Sequence, residues 1–312
     1  MVHEFRVTPF ASPTGRVWKY DGETGAGSLF YTSTSANAIA CSRDGHVYVE
    51  DGTNLKKLDS TGATVWTTAT VGLTTISGIA VGQGGYVYAC GLSGRVNRYR
   101  TSDGVAVDTP GGHGYGVALG SAVFQGICVD QSEHVWMCGT ASSVPAIFPM
   151  NSLDRYGSTA TYNLGVNNTL KEIHVNLAND KLVAVHNTGG PTTPTILTVN
   201  TSSLLTYTTV THGALMLSCD YAPNGNQYAG GQPNSGGYAV RENGSDYFSS
   251  SSRVQALACG GDSSQFIGRV RPSSSPNYSV LRIGHWGVDA GSQYTPVRCD
   301  IATGRIGAFG NV

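Results

Sequence analysis

The sequence predicts an all-β fold, and its composition and its internal spacing are the two observations that predict it. Of 312 residues, 42 are glycine and only 12% are charged, which is typical of proteins rich in short strands and tight turns. Short apolar segments recur at intervals of about 40 to 48 residues, close to the period of a four-stranded propeller blade. These segments are anchored on Ile39, Ile79, Ile127, Ile173, Leu217, Leu257 and Val297.

Each repeat begins with two strands joined by a short turn, as in "AIACSRDGHVYV" (38–49). The first strand lacks apolar alternation, which indicates burial on both faces. The residue after each anchor is mostly small (Ala40, Ala80, Cys128, Ser218, Ala258), with His174 as the exception. A second pair of strands follows, as in "LKKLDSTGATVW" (55–66). Seven such copies predict a β-propeller of about seven four-stranded blades, with six or eight as alternatives, in a single domain over 1–312.

The two ends of the chain complement one another. Residues 15–30, "GRVWKYDGETGAGSLF", match an outer pair of strands that no inner pair precedes. Residues 296–310 match an inner pair that no outer pair follows. We therefore expect the last blade to be closed by N- and C-terminal strands, which removes free sheet edges.

The seven cysteines follow the repeat rather than a disulfide framework. In our alignment Cys41, Cys219, Cys259 and Cys299 fall two residues after an anchor, where the other repeats place Val. A position that accepts Cys or Val is a small apolar core position. We expect buried free thiols and folding in a reducing cytoplasm. The chain has no CxxC pair, so we expect no metal site.

Connections of a propeller lie on two faces. The turns between strands 1 and 2 and between strands 3 and 4 of each blade form what we call the short-turn face. Connections between strands 2 and 3 and between blades form the long-loop face, where lengths vary most, as in 110–124 and 186–195. Because variable loops on a rigid scaffold carry recognition, the predicted binding candidates lie there: His113, Tyr115, His186, Asn187 and Asn234. His46 and His134 share one repeat position, which predicts a structural role.

Several function classes have little support. The net charge is −1 and no basic block occurs, so we expect no nucleic-acid partner. No run of 18 apolar residues and no export signal are found, so we expect neither membrane insertion nor secretion. No HExxH, GxSxG or SxxK pattern appears, and we expect no catalytic residue and no cofactor. Acids converging from several blades leave a glycosidase or lyase as an alternative.

The stretch Leu58–Trp66, "LDSTGATVW", resembles the repeat of quinoprotein-like propellers. The adjacent cysteines of quinoprotein dehydrogenases are missing, as are the Gly-His and Trp-Asp dipeptides of WD repeats. With its low charge and free thiols, the chain also resembles propeller proteins of bacteriophage virions. That resemblance implies a non-enzymatic structural or adhesive subunit of a tail or adsorption apparatus, folded in the cytoplasm and associated with the virion. Its partners would be other virion proteins, further copies of itself or a host surface glycan. A cytoplasmic protein-interaction scaffold is the remaining alternative.

Overall fold

The computed structural model describes most of the chain. The described residues are 3–8, 15–21, 27–34, 38–42, 44–107, 119–150, 157–164, 169–176, 178–186, 196–211, 215–222, 225–232, 238–249, 253–259, 266–271, 279–283 and 298–301. Within these ranges the chain forms strands and turns, and no helix is present that could cross a membrane. This confirms the predicted all-β fold.

Twenty-six antiparallel strands make up the described secondary structure. In chain order they are β1 (His3–Thr8), β2 (Gly15–Asp21), β3 (Gly27–Ser33), β4 (Ile39–Cys41), β5 (Val47–Asp51), β6 (Asn54–Leu58), β7 (Thr64–Ala69), β8 (Ile76–Val81), β9 (Tyr86–Gly91), β10 (Arg95–Arg100), β11 (Ala122–Val129), β12 (Val135–Ala141), β13 (Val144–Met150), β14 (Ala160–Thr161), β15 (Leu170–Val175), β16 (Lys181–His186), β17 (Ile196–Asn200), β18 (Ser203–Val210), β19 (Met216–Tyr221), β20 (Gln227–Gly231), β21 (Tyr238–Glu242), β22 (Ser245–Ser249), β23 (Arg253–Cys259), β24 (Phe266–Arg271), β25 (Ser279–Ile283) and β26 (Arg298–Ile301).

The strands form seven sheets, which are the blades of a β-propeller. Blade 1 has the order β26-β1-β2-β3, and blades 2 to 7 follow as β4–β7, β8–β10, β11–β14, β15–β18, β19–β22 and β23–β25. Five blades are four-stranded, and blades 3 and 7 show three strands within the described residues. The innermost strands contact one another in the sequence β26, β4, β8, β11, β15, β19, β23 and back to β26. The ring therefore closes with seven blades.

Blade 1 is closed by both ends of the chain, as the sequence predicted. Strand β1 pairs antiparallel with β26 through Glu4–Ile301 and Arg6–Cys299, and with β2 on its other side. We expected two strands of this blade from each end of the chain. Instead, the N-terminal segment supplies β1, β2 and β3, and the C-terminal segment supplies the innermost strand, β26. The expected second strand of 296–310 falls outside the described residues beyond 301.

One carboxylate ties blade 1 to blade 2. Asp51 is buried and accepts hydrogen bonds from the Thr34 backbone N–H at 2.5 Å and from the Tyr31 hydroxyl at 2.9 Å, both in or beside β3. The Lys56 ammonium lies 2.5 Å from the same carboxylate. Burial alone would raise the pKa of Asp51, but these hydrogen bonds lower it to about 2.

The register of the inner strands agrees with the predicted repeat in blades 2 to 5 and differs in blade 6. Ile79 pairs with Ala89 and Ile173 with Ala184, and two further residue pairs separate each anchor from the turn. In blade 6 this place belongs to Cys219, which faces Ala229. Leu217 is therefore two residues out of register, because Cys219 stands where blades 2 to 5 have Ile. The predicted position of Cys219, two residues after an anchor, is wrong.

Apolar side chains from adjacent sheets fill the spaces between blades. One cluster joins blades 3 and 4 around Phe124, Phe148 and Met137, and another joins blades 4 and 5 around Ile147 and Leu182. Six cysteines (Cys41, Cys90, Cys128, Cys138, Cys219 and Cys259) are buried free thiols, as predicted, and Cys299 has no described side-chain environment. Burial raises the pKa of the Cys219 thiol, so it is held protonated as a small core residue.

Candidate functional site

A concavity lies on the short-turn face between blades 4 and 5, and we call it the 4/5 cavity. Its volume is about 340 Å³, within the range of roughly 300–1,000 Å³ that small-molecule sites occupy. Blade 4 supplies Asp130, Ser132, His134, Trp136, Pro149, Met150 and Gly157, and blade 5 supplies Asn179, Thr201 and Ser202.

The β11–β12 turn is organised by Asp130. Its carboxylate accepts the backbone N–H groups of Ser132 at 2.8 Å and His134 at 2.9 Å through Oδ1. Through Oδ2 it contacts His134 Nδ1 at 3.0 Å and accepts the Trp136 indole N–H at 3.3 Å. Asp, which favours turns because it bonds its own backbone, thus fixes both the turn and two side chains that line the cavity.

The opposite wall is built by two turns of blade 5. Asn176 accepts the backbone N–H groups of Asp180 and Lys181, each at 3.1 Å. This places Asn179 at a left-handed position with φ 57°, which Asn tolerates better than most residues. Thr201 donates its hydroxyl to the Asn179 carbonyl at 2.6 Å. This hydrogen bond joins the two turns, which present an amide and hydroxyls to the cavity.

The chemistry of the 4/5 cavity is that of polar recognition. A carboxylate, an imidazole, an amide and several hydroxyls surround apolar surface from Trp136 and Met150. Asp130 is buried, whereas the His134 side chain is 37% exposed, so the imidazole is more accessible than the carboxylate. Within the described ranges no cluster of three or more His, Cys, Asp or Glu side chains could hold a metal ion.

A second cavity lies on the same face between blades 2 and 3, and we call it the 2/3 cavity. Its volume is about 310 Å³, and its lining is Cys41, Ser42, Asp44, Tyr48, Val81, Gly82, Gln83, Gly85 and Thr101. Burial of Asp44 would raise the pKa of its carboxyl, but hydrogen bonds from Ser42 and His46 lower it below its usual value. The carboxylate is therefore charged at neutral pH.

A histidine and two acids meet near the propeller axis, from innermost strands of blades 5 and 6. His174 Nδ1 lies 3.2 Å from Asp220 and Nε2 lies 3.7 Å from Glu172. Both acids also accept backbone N–H groups of the next blade, Glu172 from Cys219 at 3.0 Å and Asp220 from Cys259 at 2.9 Å. These contacts join blades 5, 6 and 7. The corrected register of blade 6 puts Asp220, not Ser218, in the row of His174, which accounts for the exception seen in the sequence.

Of the predicted binding candidates, the structure describes His186 alone. It is the last residue of β16, pairs with Leu170 and is 1% exposed. Neither ring nitrogen has a hydrogen-bond partner, and burial lowers the pKa of the imidazole. His113, Tyr115, Asn187 and Asn234 lie outside the described residues. That these five residues bind a partner stays a prediction.

Sequence reasoning missed the residues of the 4/5 cavity. His134 was assigned a structural role because His46 occupies the same repeat position, yet His134 lines the cavity. A signal was present: Asp130 and Trp136 flank His134 within seven residues. Blade 5 contributes residues that are more than 40 positions away in sequence, such as Asn179, which accepts the Gln131 backbone N–H. This contribution could not be read from that stretch.

Comparison with known proteins supports the fold. No family model matches the chain, and no curated protein matches it. Solved structures do match the chain. The WD40 β-propeller domain of Doa1 aligns with a TM-score of 0.64 at 14% identity, covering 89% of this chain and 87% of that one.

Two further structures give similar values. A catalytically inactive virginiamycin B lyase from Staphylococcus aureus, bound to quinupristin, aligns with a TM-score of 0.59 at 11% identity over 84% of each chain. A chain of a nidogen/laminin complex aligns with 0.57 at 10% identity, over 96% of this chain and 98% of that one. At identities of 10–14% these likenesses show the propeller fold alone.

Proposed function

We propose that this chain is a binding propeller without catalytic turnover that recognises a carbohydrate unit in the 4/5 cavity. The observation that carries the proposal is the cavity itself, a pocket of about 340 Å³ where polar groups of two blades converge around Trp136. Convergent polar groups beside apolar lining are the general features of a small-molecule site.

The chemistry of the lining selects the ligand class. Hydroxyls of Thr201 and Ser202, the Asn179 amide and the His134 imidazole can exchange hydrogen bonds with a polyhydroxylated ligand. The buried Asp130 carboxylate makes the wall unfavourable for an anion. Uncharged sugars and amino sugars therefore suit the cavity, and uronic acids do not.

The biological setting we propose is that of a structural or adhesive subunit of a bacteriophage virion. Support comes from the sequence: low charge, abundant glycine and buried thiols that require no oxidising compartment for folding. Attachment to a host surface glycan would use the cavity, and the long-loop face would remain for docking to other virion proteins or to further copies of the chain. None of the three solved structures described above is titled as a phage protein.

The proposal is tested by titrating the purified chain with oligomers of glucose, N-acetylglucosamine, glucosamine and galacturonic acid, with calorimetry as the readout and product analysis alongside. We expect binding of uncharged or amino sugars, no binding of galacturonic acid and no cleavage. His134→Ala keeps the backbone N–H that binds Asp130 and removes the imidazole, and we expect about a tenfold loss of affinity, the equivalent of one hydrogen bond.

A matched control exists in the same turn. Gln131 is exposed and is absent from the cavity lining, so Gln131→Ala should leave the affinity unchanged. No binding of any oligomer, or an equal loss in both variants, would refute the proposal. Release of shorter oligomers would show that the chain cleaves the sugar, and the proposal of binding without turnover would be wrong.

A further inference from the structure

The 2/3 and 4/5 cavities occupy repeat-equivalent places on one face, although they are not adjacent. In each, the first blade supplies its strand 1–2 turn and the aromatic residue that follows, Tyr48 or Trp136. In each, the next blade supplies its own strand 1–2 turn and a threonine of its strand 3–4 turn, Thr101 or Thr201.

The two threonines are held in the same way. Thr101 donates its backbone N–H and its hydroxyl to the Gly85 carbonyl at 2.8 Å and 3.0 Å. Thr201 donates its backbone N–H to the Asp180 carbonyl at 2.9 Å and its hydroxyl to the Asn179 carbonyl at 2.6 Å. In blades 3 and 5 alike, a threonine of the strand 3–4 turn therefore fastens that turn to the strand 1–2 turn, and both turns line the cavity.

The gap between blades 3 and 4 shows what happens when the same place is filled. Glu133 reaches from the β11–β12 turn and accepts the Gly84 backbone N–H at 2.6 Å and the Tyr88 hydroxyl at 2.9 Å. Tyr88 is the repeat equivalent of Tyr48 and Trp136. The fit is close, since a Cβ on Gly82 would lie 2.3 Å from the Glu133 carboxylate.

The filled gap and the two cavities differ in the residue at one position of the repeat. Glu133 has φ 61°, and the equivalent residues in blades 3 and 5 are Gly85 with φ 82° and Asn179 with φ 57°. Glycine has no side chain to place in the 2/3 cavity, and the shorter Asn lines the 4/5 cavity without filling it. Among these three gaps, the one that carries a long side chain at this position is the one that is filled.

The linings also match in chemistry. The 2/3 cavity offers the Asp44 carboxylate, the Gln83 amide, hydroxyls of Ser42 and Thr101 and the ring of Tyr48. The 4/5 cavity offers a carboxylate, an amide, hydroxyls and an indole. Both therefore favour uncharged or amino sugars over acidic ones.

We propose that the 2/3 cavity is a second carbohydrate site equivalent to the 4/5 cavity, so that one chain binds two units of a repeating glycan through its short-turn face. This inference rests on the proposed function. Two sites on one rigid scaffold convert the second binding step into an intramolecular one, and avidity can exceed the affinity of a single site by about 10²-fold or more.

The test compares stoichiometry with avidity. Maltose, cellobiose and N,N′-diacetylchitobiose are titrated separately by calorimetry, and we expect two sites per chain for the disaccharide that binds. Gly85→Gln places a long neutral side chain where blade 4 carries Glu133, and its Cβ meets Thr101 at an ordinary 3.9 Å. Asn179→Gln places the same long side chain at the equivalent position of the 4/5 cavity. Each variant should reduce the stoichiometry to one, and the double variant should not bind.

A long polymer of the same sugar provides the second readout. We expect it to bind the unchanged chain at least tenfold more tightly than the disaccharide, and to lose this advantage in either single variant. Gln83→Ala serves as a second variant of the 2/3 cavity if Gly85→Gln lowers the thermal stability. A stoichiometry of one that Asn179→Gln abolishes and both 2/3 variants leave intact would overturn the inference while the proposed function stands. Absence of binding to the unchanged chain would refute the proposed function itself.

Discussion

Glu133 is a side chain whose contribution to stability can be worked out from opposing terms. It occupies a left-handed backbone position, φ 61°, where blades 2, 3 and 6 have Gly45, Gly85 and Gly225. A non-glycine residue there costs about 1–2 kcal/mol. Two hydrogen bonds that the Glu133 carboxylate accepts from blade 3 oppose this cost.

Removing the side chain separates these terms. Hydrogen bonds to a charged group contribute about 1.5–3 kcal/mol each, and partial exposure of this carboxylate reduces the sum of the two to about 2 kcal/mol. Glu133→Ala loses that sum and keeps the strain, so we expect a destabilisation of about 2 kcal/mol. Glu133→Gly loses the same sum but regains about 1 kcal/mol, because relief of strain exceeds the entropic cost of glycine in the unfolded chain.

The assay is unfolding in urea monitored by circular dichroism, with the slope m compared between variants. Glu133→Ala should unfold at a lower midpoint than Glu133→Gly, and the thermal midpoints should differ by about 1–2 °C. Gln131→Ala, in the same turn and exposed, is the control and should resemble the unchanged chain. Equal stability of the alanine and glycine variants would show that no strain resides at this position. A stability of both variants equal to that of the control would refute the bridge between blades.

Three further predictions concern the scaffold. In the folded chain the pKa of Asp51 is about 2, below its ordinary value of 3.8. The stabilisation that the Asp51 carboxylate contributes is therefore present above pH 4 and is lost as pH falls toward 2. The difference in unfolding free energy between the unchanged chain and Asp51→Asn should shrink by about 1–2 kcal/mol between pH 5 and pH 2. Gly139→Ala places a Cβ 1.9 Å from the Val123 carbonyl oxygen and should destabilise the chain by about 1–3 kcal/mol, measured by urea unfolding; unchanged stability would contradict the close approach. The six described thiols should react with a thiol reagent only after unfolding, and rapid reaction of Cys219 in the native chain would contradict its burial.

The propeller could be predicted from the sequence because the repeat fixes both strand positions and turn chemistry. The turn at Ser60–Gly62 joins β6 to β7 as expected, since Asp59 accepts the Thr61 backbone N–H at 2.8 Å. Closure by the two termini followed from the same reasoning, because unmatched strands at the two ends complete one blade, although they divide as three and one rather than two and two.

Register was harder to predict in blade 6, where the apolar residues Met216, Leu217 and Cys219 fit two alignments. Backbone pairing selects the alignment that places Cys219 opposite Ala229. The bulge before this pair recurs in blades 3 to 5, so blade 6 differs only in having Cys where those blades have Ile. The pairing of His174 with Asp220 was hidden for the same reason.

The candidate site could not be predicted because it belongs to pairs of blades. Asp130 and Asn179 are 49 positions apart in sequence, and nothing within either repeat shows that they line one cavity. The predicted face was chosen from loop length, and four of the five residues named there lie outside the described residues. Loop length indicates where sequence can vary, whereas the cavities arise where short turns of neighbouring blades leave space.

The left-handed turn position links the repeat to function. Every described strand 1–2 turn of blades 2 to 6 uses it, with Gly45, Gly85, Glu133, Asn179 and Gly225 in chain order. Its backbone geometry is demanded by the tight hairpin, so it is maintained for folding, but its side chain projects toward the preceding blade, as the contact of Glu133 with Gly84 shows. A substitution there can therefore open or fill a space between blades without altering the sheet. A propeller can in this way change how many sites its short-turn face presents while its fold is preserved.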